Sequence, residues 1–334
     1  MPRMSESIRI IQVGLGPIGR RMIHRIATHP RLQLVGAVDI DASLHGRDAG
    51  ELANLDQPLG VNVVGDLDAV GDDADVASVM TTSALDKCEP TLIACCEAAL
   101  HVVSTCEELS YPWQTAAALA RRIDDAAQAT GVAVLGTGVN PGFLMDLLPL
   151  VLTGVCENVE AIRVERYQDA GQRRLPFQLK VGATLSPEQF QQKVDAGQIR
   201  HVGLTESMHM LAARLGWTLD RTRDQVNPLI NHERIEGHAL TIEPGQVKGV
   251  HQVGEGWIGD RRVIELIFHA EVGQARPQDR VIIRGNPGFE SIIPGGIHGD
   301  TATTAMAINC IPLLQAARPG LRTMADLAPP SCFE

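Results

Sequence analysis

Short apolar runs alternate with amphipathic stretches through the first 142 residues of the chain. Ile8–Val13, Leu32–Val38, Val61–Val64, Asp75–Met80 (DVASVM), His101–Thr105 (HVVST) and Val132–Gly136 (VAVLG) read as strands. Helical patterning separates most of them. It begins at Pro17, covers Glu89–Leu100, and covers Trp113–Ala129, where Leu119, Ile123 and Ala126 recur near the 3.6-residue period. A βαβ series of this kind predicts a parallel, doubly wound sheet with right-handed crossovers. From Asn158 to about Pro294 the pattern changes. Arg262–Val272 sets Ile264, Leu266, Phe268 and Ala270 on one face against Glu265, His269 and Glu271 on the other, as in an antiparallel sheet covered on one side. Val159–Gln168 and Asp279–Arg284 can join that sheet, and helical segments at Pro187–Ala196 and Thr205–Leu215 interrupt the series. The pattern therefore predicts an α/β protein in three parts. A parallel-sheet domain covers residues 1–142, an α+β domain built on a largely antiparallel sheet covers 143–299, and a helix and tail at 300–334 return to the first domain.

The turn after the first strand carries Gly14, Gly16 and Gly19 in a G-x-G-x-x-G array, with Pro17 and Ile18 opening the helix. Glycines there let backbone N–H groups and a helix N-terminus approach a pyrophosphate. The array alone is weak, but the second strand ends in Asp39, twenty residues after Gly19, where a dinucleotide fold uses a carboxylate to accept from the adenosine ribose. Asp41 adds like charge, so NAD is the expected cofactor and a 2′-phosphate is disfavoured. NADP stays open, because Arg47 is near enough to fold back and relax the preference.

Composition narrows the partners. There are 29 basic and 40 acidic residues, a net charge of −11, which argues against nucleic acid. The seven cysteines form no C-x-x-C pair, and His and Cys do not cluster at ligand spacing, so no metal site is expected. With no stretch reading as a signal peptide and no apolar run long enough to span a bilayer, the expectation is a cytoplasmic protein with reduced thiols.

Ligands of doubly wound sheets bind beyond the carboxyl ends of the strands. Three clusters fall there: Thr81-Thr82-Ser83, Thr105-Cys106-Glu107-Glu108, and Gly138-Val139-Asn140-Pro141. The hydroxyls suit ribose or phosphate, and the Asn140 amide suits a carboxamide or a polar group of the substrate. Glu107 and Glu108 have two readings. One makes either carboxylate a general base in a dry pocket. The other makes them acids favoured by a helix dipole, with Pro112 starting the helix. Cys106 reads as a small buried packing residue. His298, in PGGIHGDTATT at 294–304, is approached by glycines and followed by Asp300 and Thr301, either of which can cap a helix. It reads as a cleft residue beside the cofactor or as part of a plain connecting loop. Phe143 and Met145 are either core or pocket wall, and Tyr167, Arg173 and Arg174 are candidates for the substrate side.

The combination of GLGPIG, STCEELSYP at 104–112, GTGVNPGFLMD at 136–146 and IPGGIHGDTATTAMAIN at 293–309 resembles the 2,4-diaminopentanoate dehydrogenase family. That family includes native NAD(P)-dependent amine dehydrogenases and is often described as dihydrodipicolinate reductase-like. The resemblance implies a Rossmann domain, a substrate domain on an antiparallel sheet, usually a homodimer, and reversible oxidative deamination of an amine to a ketone or aldehyde with release of ammonia. It puts the catalytic glutamate at Glu108, with Glu107 as the fallback. The cofactor set is then Gly14 to Ile18, Gly19, Asp39, Asp41, Thr81, Thr82, Ser83, Thr105, Cys106, Asn140 and His298. The pocket set is Phe143, Met145, Tyr167 and Thr303. True dihydrodipicolinate reductases carry a His-His pair, a lysine and a DAPSGTA-like loop where this chain reads VERYQDAGQRRLP at 164–176. A cyclic dicarboxylate substrate is therefore not expected. The choice between a simple alkyl amine and a 2,4-diaminopentanoate-like diamine stays open, as do another imine or semialdehyde oxidoreductase and a nonenzymatic NAD(H) sensor.

Overall fold

The computed structural model describes residues 7–71, 73–173, 175–236 and 240–333. The chain divides into two compact units, residues 1–143 with 299–334, and residues 144–298.

The first unit is a seven-stranded sheet. Its strands are β1 (Ile8–Val13), β2 (Leu32–Val38), β3 (Val63–Val64), β4 (Val76–Val79), β5 (His101–Ser104), β6 (Ala133–Gly136) and, after the second unit, β15 (Gly320–Arg322). The order is β15-β6-β5-β4-β1-β2-β3, and every strand pair is parallel. Its helices are α1 (Pro17–Ala27), α2 (Ala49–Leu52), α3 (Leu85–Glu97), α4 (Ala117–Thr130) and α9 (Gly299–Gln315). The strand order reverses between β1 and β4, which makes their carboxyl ends the switch point where such sheets take ligands. Ile11, Val13, Ala77, Val79, Val102 and Val134 from the strands and Leu85, Leu92, Ile123 and Ala127 from α3 and α4 form one buried cluster. Helix α9, apolar almost all round, is buried from Thr304 to Leu314 along several of its faces, as expected of a helix inside a core.

Two helices begin elsewhere than the periodicity predicted. Helix α3 starts at Leu85, four residues before Glu89, although its N-cap Ala84 supplies no side-chain bond. The missing acceptor comes from a distant residue, Glu108. Helix α4 starts at Ala117 and not at Trp113, because the single Ala116 N–H to Pro112 carbonyl turn does not propagate.

The second unit contains α5 (Leu147–Thr153), β7 (Asn158–Asp169), α6 (Leu175–Lys180), α7 (Pro187–Asp195), α8 (Leu204–Arg214), β8 (Arg221–Ile230), β9 (Ile235–Glu236), β10 (Thr241–Ile242), β11 (Val247–Ile258), β12 (Arg261–Glu271), β13 (Gln278–Asn286) and β14 (Phe289–Pro294). Its main sheet runs β14-β13-β7-β12-β11-β8, antiparallel throughout except for the β7–β12 pair. Ile162, Val164, Ile264, Leu266, Phe268 and Ala270 share a face that packs on Phe190 of α7 and on Leu204, Met208 and Leu211 of α8. The opposite face is polar. There Arg163 pairs with Glu165 and Glu265 at 2.6 Å each, and Lys248 pairs with Glu271 at 2.7 Å.

Candidate active site

The first unit builds its site around the glycine turn. Gly14 has φ +87°, and a Cβ on it would stand 2.5 Å from the Met80 carbonyl, so β1 and β4 close to a spacing that only glycine allows. A Cβ on Gly19 would stand 1.9 Å from the Gly14 carbonyl, which fixes the contact between helix and turn. Gly16 differs: it is the N-cap of α1, it makes no side-chain cap, and the space beside it is open. The first N–H groups of a helix have no intrahelical partner. The turn therefore offers Ile18 and Gly19 amides, beside Pro17, to a ligand that can come as close as a missing Cβ permits, and this fits a pyrophosphate. Beneath the turn, buried Gln12 donates through Nε2 to the carbonyls of Val13 (3.1 Å) and Gly14 (3.0 Å). An open groove of about 810 Å³ continues from Leu15 and Gly16 along Arg20, Arg21, His24 and Arg25, a cationic lining on an otherwise acidic protein.

At the end of β2, Asp39 Oδ2 accepts from Leu15 N at 2.5 Å and Oδ1 accepts from Asp41 N at 2.9 Å. These bonds lock the carboxylate beside the glycine turn and leave lone pairs for a ribose. Asp41 acts locally. It caps a 3-10 turn by accepting from Ser43 N and Oγ, and the Ser43 bonds hold its carboxyl below the usual range. Arg47 is engaged with Glu51 at 2.7 Å. Ile40 is 95% exposed between the two acids. Sequence reasoning passed over Ile40 and Gln12; the signal for Ile40 was an apolar residue directly after the acid that ends β2.

The loops after β4 and β5 are laced together. Glu107 and Glu108 open a 3-10 turn, Glu107–Leu109, after β5. Glu108 N donates to the Ser83 carbonyl at 3.3 Å, and Glu108 Oε2 accepts from Leu85 N at 2.8 Å, which makes it the carboxylate at the N-terminus of α3. Cys106 is buried and its thiol points at the same Ser83 carbonyl, 3.3 Å away. Thr82 Oγ1 accepts from Ala84 N at 3.3 Å, Thr81 is exposed with its hydroxyl 3.9 Å from Cys88 Sγ, and Thr105 N donates to Val79 at 3.2 Å. After β6, Val139 N donates to Thr303 Oγ1 of α9 at 3.3 Å, so Thr303 secures the loop that carries buried Asn140. The glycine turn, Asp39, the Thr81–Ser83 loop, both glutamates, Asn140 and Thr303 thus all belong to the first unit, and most of them follow its strand ends. Phe143 is the last residue before the second unit and is half-buried.

The remaining predicted residues lie in the second unit and do not form one cluster there. Met145 is fully buried in the core on the helix-covered side of the sheet, the position of a packing residue. Tyr167 lies on the opposite, polar face, with its ring centroid 4.9 Å from that of His269; burial and the nearby Glu165 raise its pKa. His298 is exposed at the end of the unit. Arg173 lies over the Phe177 ring at 4.4 Å, and Arg174 falls outside the described residues. Among the described residues no group of three His, Cys, Asp or Glu could hold a metal ion, and no helix is long and apolar enough to cross a membrane.

Comparison with known proteins agrees with this architecture. Residues 143–334 match the family model of the 2,4-diaminopentanoate dehydrogenase C-terminal domain, and residues 8–106 match that of the dihydrodipicolinate reductase N-terminus. The chain is 31% identical over 337 residues to a 2,4-diaminopentanoate dehydrogenase of Acetoanaerobium sticklandii, covering 97% of this chain and 94% of the relative. It is 27% identical over 341 residues to an amine dehydrogenase of Streptomyces virginiae, covering 94% of each. The solved amine dehydrogenase of Mycobacterium smegmatis has the same fold, with a TM-score of 0.85 at 23% identity over 98% of both chains. The chain belongs to the 2,4-diaminopentanoate dehydrogenase family.

Proposed function

We propose that this protein is an NAD(P)-dependent amine dehydrogenase that interconverts an amine with a ketone or aldehyde plus ammonia. The observation that carries the reading is the anchored carboxylate of Glu108. It follows β5 in a sheet whose switch point holds an open glycine turn, and Leu85 N fixes its direction through one oxygen. A carboxylate has about four lone-pair sites, so this single bond orients the group and leaves acceptor capacity. When bound, the nicotinamide cofactor supplies the hydride chemistry.

The chain's own residues do the rest. Glu108 takes a proton from the substrate ammonium so that the neutral amine can be oxidised to an iminium. After releasing that proton to solvent, the same carboxylate accepts a proton from the water that attacks the iminium carbon and passes it to the departing ammonia, and in the reverse direction it manages the protons of ammonia and carbinolamine. Glu107 is the fallback for this role. Gly14 to Gly19 and the α1 N-terminus take the pyrophosphate, Asp39 takes the ribose hydroxyls, and exposed Ile40 gives adenine an apolar platform. Thr81, Thr82, Ser83, Thr105 and Asn140 orient the remaining polar groups, with Phe143 and Thr303 toward the substrate; His298 is the second unit's candidate for the cofactor and Tyr167 its candidate for the substrate. NAD is the preferred cofactor because Asp39 opposes a 2′-phosphate.

The working form is a homodimer that buries a face or edge of the second sheet, and the compartment is the cytoplasm. Support for the first is the family resemblance together with half-exposed Ile292 among the ion pairs of the sheet's polar face; support for the second is that Cys88, Cys95, Cys96, Cys106, Cys156 and Cys310 are thiols without a disulfide. The direct test is oxidation of alkyl amines and diamines with NAD⁺, with ammonia assayed alongside NADH. Equal yields of ammonia and NADH are expected. NADH formed without ammonia would replace the reading with another oxidoreductase.

A further inference from the structure

Arg166 and Asp279 stand directly opposite each other across the antiparallel β7/β13 pair, on the helix-covered side of the second sheet. Their side chains are 2% and 3% exposed. Desolvating a cation and a carboxylate is costly, and apolar residues of similar volume often replace such a pair without loss of stability. The need for a stable core does not explain these two charges.

What they hold is one residue of the backbone. Arg166 Nη2 donates to the Ile297 carbonyl at 2.9 Å, and Ile297 N donates to Asp279 Oδ2 at 2.7 Å. The other ends of the pair, Nη1 and Oδ1, face each other at 3.5 Å. With the Gln168 amide oriented to accept, its oxygen lies 2.9 Å from Arg166 Nε, so a third group fixes the guanidinium plane. The path to Ile297 is built for this contact. Gly295 and Gly296 both have positive φ, +79° and +67°, and turn the chain off β14. Gly295 N is held by the Pro277 carbonyl at 2.9 Å and Gly296 N by the Ile293 carbonyl at 3.1 Å. Burial lowers the pKa of Arg166 to about 10 and raises that of Asp279, while each charge favours the ionised form of the other.

We propose that the buried Arg166–Asp279 pair is a positioning device that clamps the N–H and C=O of Ile297 and thereby fixes the backbone of His298, the next residue, for productive turnover. The proposal rests on the amine dehydrogenase reading and on His298 acting in it. It assigns Arg166 and Asp279 no contact with substrate. A carboxylate and a guanidinium suit this role because each makes a short, directional, charge-assisted bond to a backbone group that an apolar pair cannot hold.

The test is the double variant Arg166→Met/Asp279→Leu, which keeps volume and removes both charges. The melting temperature should stay close to wild type. Amine kcat/KM should fall about 10- to 100-fold, the scale of a small misplacement near the chemistry. NADH affinity, measured by titration without amine, should fall less than amine kcat/KM, because most of the cofactor set, the glycine turn and Asp39 included, belongs to the other unit and His298 is its one member in this unit. Hydrogen exchange at the Ile297 amide should accelerate. His298→Ala made in the double-variant background should add little further loss, since effects transmitted through one residue are not additive. Asp279→Asn, which keeps shape and one acceptor, is the check should the double variant fold poorly, with a loss in the same direction and smaller. Wild-type amine kcat/KM in a folded variant with a faster-exchanging Ile297 amide would overturn the proposal, and so would additive losses with His298→Ala. Absence of amine turnover in the wild type would instead overturn the amine dehydrogenase reading, and the exchange rate would still report on the clamp.

Discussion

Replacing Glu108 by Gln separates chemistry from architecture at the site. The side chain bonds to Leu85 N at 2.8 Å, at the start of α3. A glutamine keeps an acceptor oxygen within reach of that N–H and loses only the charge. The structural loss is then that of one acid near a helix N-terminus, at most about 1 kcal/mol. The chemical loss is far larger, because an amide cannot take and return a proton. A positioned acid or base contributes about 10²- to 10⁴-fold, which is about 3–5 kcal/mol of transition-state stabilisation. Steady-state amine oxidation and a thermal melt on the same samples separate the two terms. The expected result is a nearly unchanged melting temperature, unchanged NADH affinity, and kcat lowered by about two to four orders of magnitude. Glu107→Gln should be much milder. An active Glu108→Gln with an inactive Glu107→Gln would move the role by one residue, and two active variants would refute the glutamate mechanism. A several-degree fall in melting temperature with normal kcat would leave Glu108 as a helix cap alone.

Other expectations follow from the same geometry. In side-by-side kinetics NADH should be preferred over NADPH, and Asp39→Ser should narrow the difference; a clear NADPH preference in the wild type would reverse the role given to Asp39. Burial first, then the Lys180, Arg166 and Arg200 cations, lower the His201 pKa from 6.5 to about 3. The folded state thus binds fewer protons than the unfolded chain as pH falls below 6.5, and the contribution of His201 to stability, complete above that pH, is lost toward pH 3. His201→Gln should therefore flatten the fall in unfolding free energy between about pH 6.5 and 4, by up to about 1.4 kcal/mol per pH unit; parallel denaturation curves across that range would contradict the assignment. Light scattering should give twice the 35.9 kDa chain mass, and a monomer at working concentration would remove the dimer.

The legibility of the chain varied with how locally each feature is encoded. Six of the seven first-unit strands could be read because each is a short apolar run whose pairing is parallel and buried; β15, the three residues GLR in the tail, has no such run and was missed. In the second unit β12 was legible from its alternation, whereas β8 and β11 were not. The β8 sequence RTRDQVNPLI has no apolar face. On the covered face β11 uses Val250, Gln252, Gly254 and Gly256, and Gly254 lets Leu204 and Met208 of α8 approach as closely as 3.3 Å to where a Cβ would stand. A face with one valine, one glutamine and two glycines carries no readable hydrophobic period. The site shows the same division. The glycine turn and Asp39 are local signals, so their places were readable. The bond from Leu85 to Glu108 spans 23 residues, and the Arg166–Ile297 bond spans 131, and neither has a sequence period. Met145 looked alike as core or as pocket wall until the packing of α8 on the second sheet decided in favour of core.

A chain that joins hydride transfer to carbon–nitrogen chemistry must depend on ammonium in the reductive direction. NADH consumption should be followed with a panel of ketones and aldehydes, each with and without ammonium. NADH oxidation is expected to require both carbonyl and ammonium, to saturate in each, and to yield the primary amine. NADH oxidation at the same rate without ammonium, yielding an alcohol, would contradict the amine dehydrogenase reading.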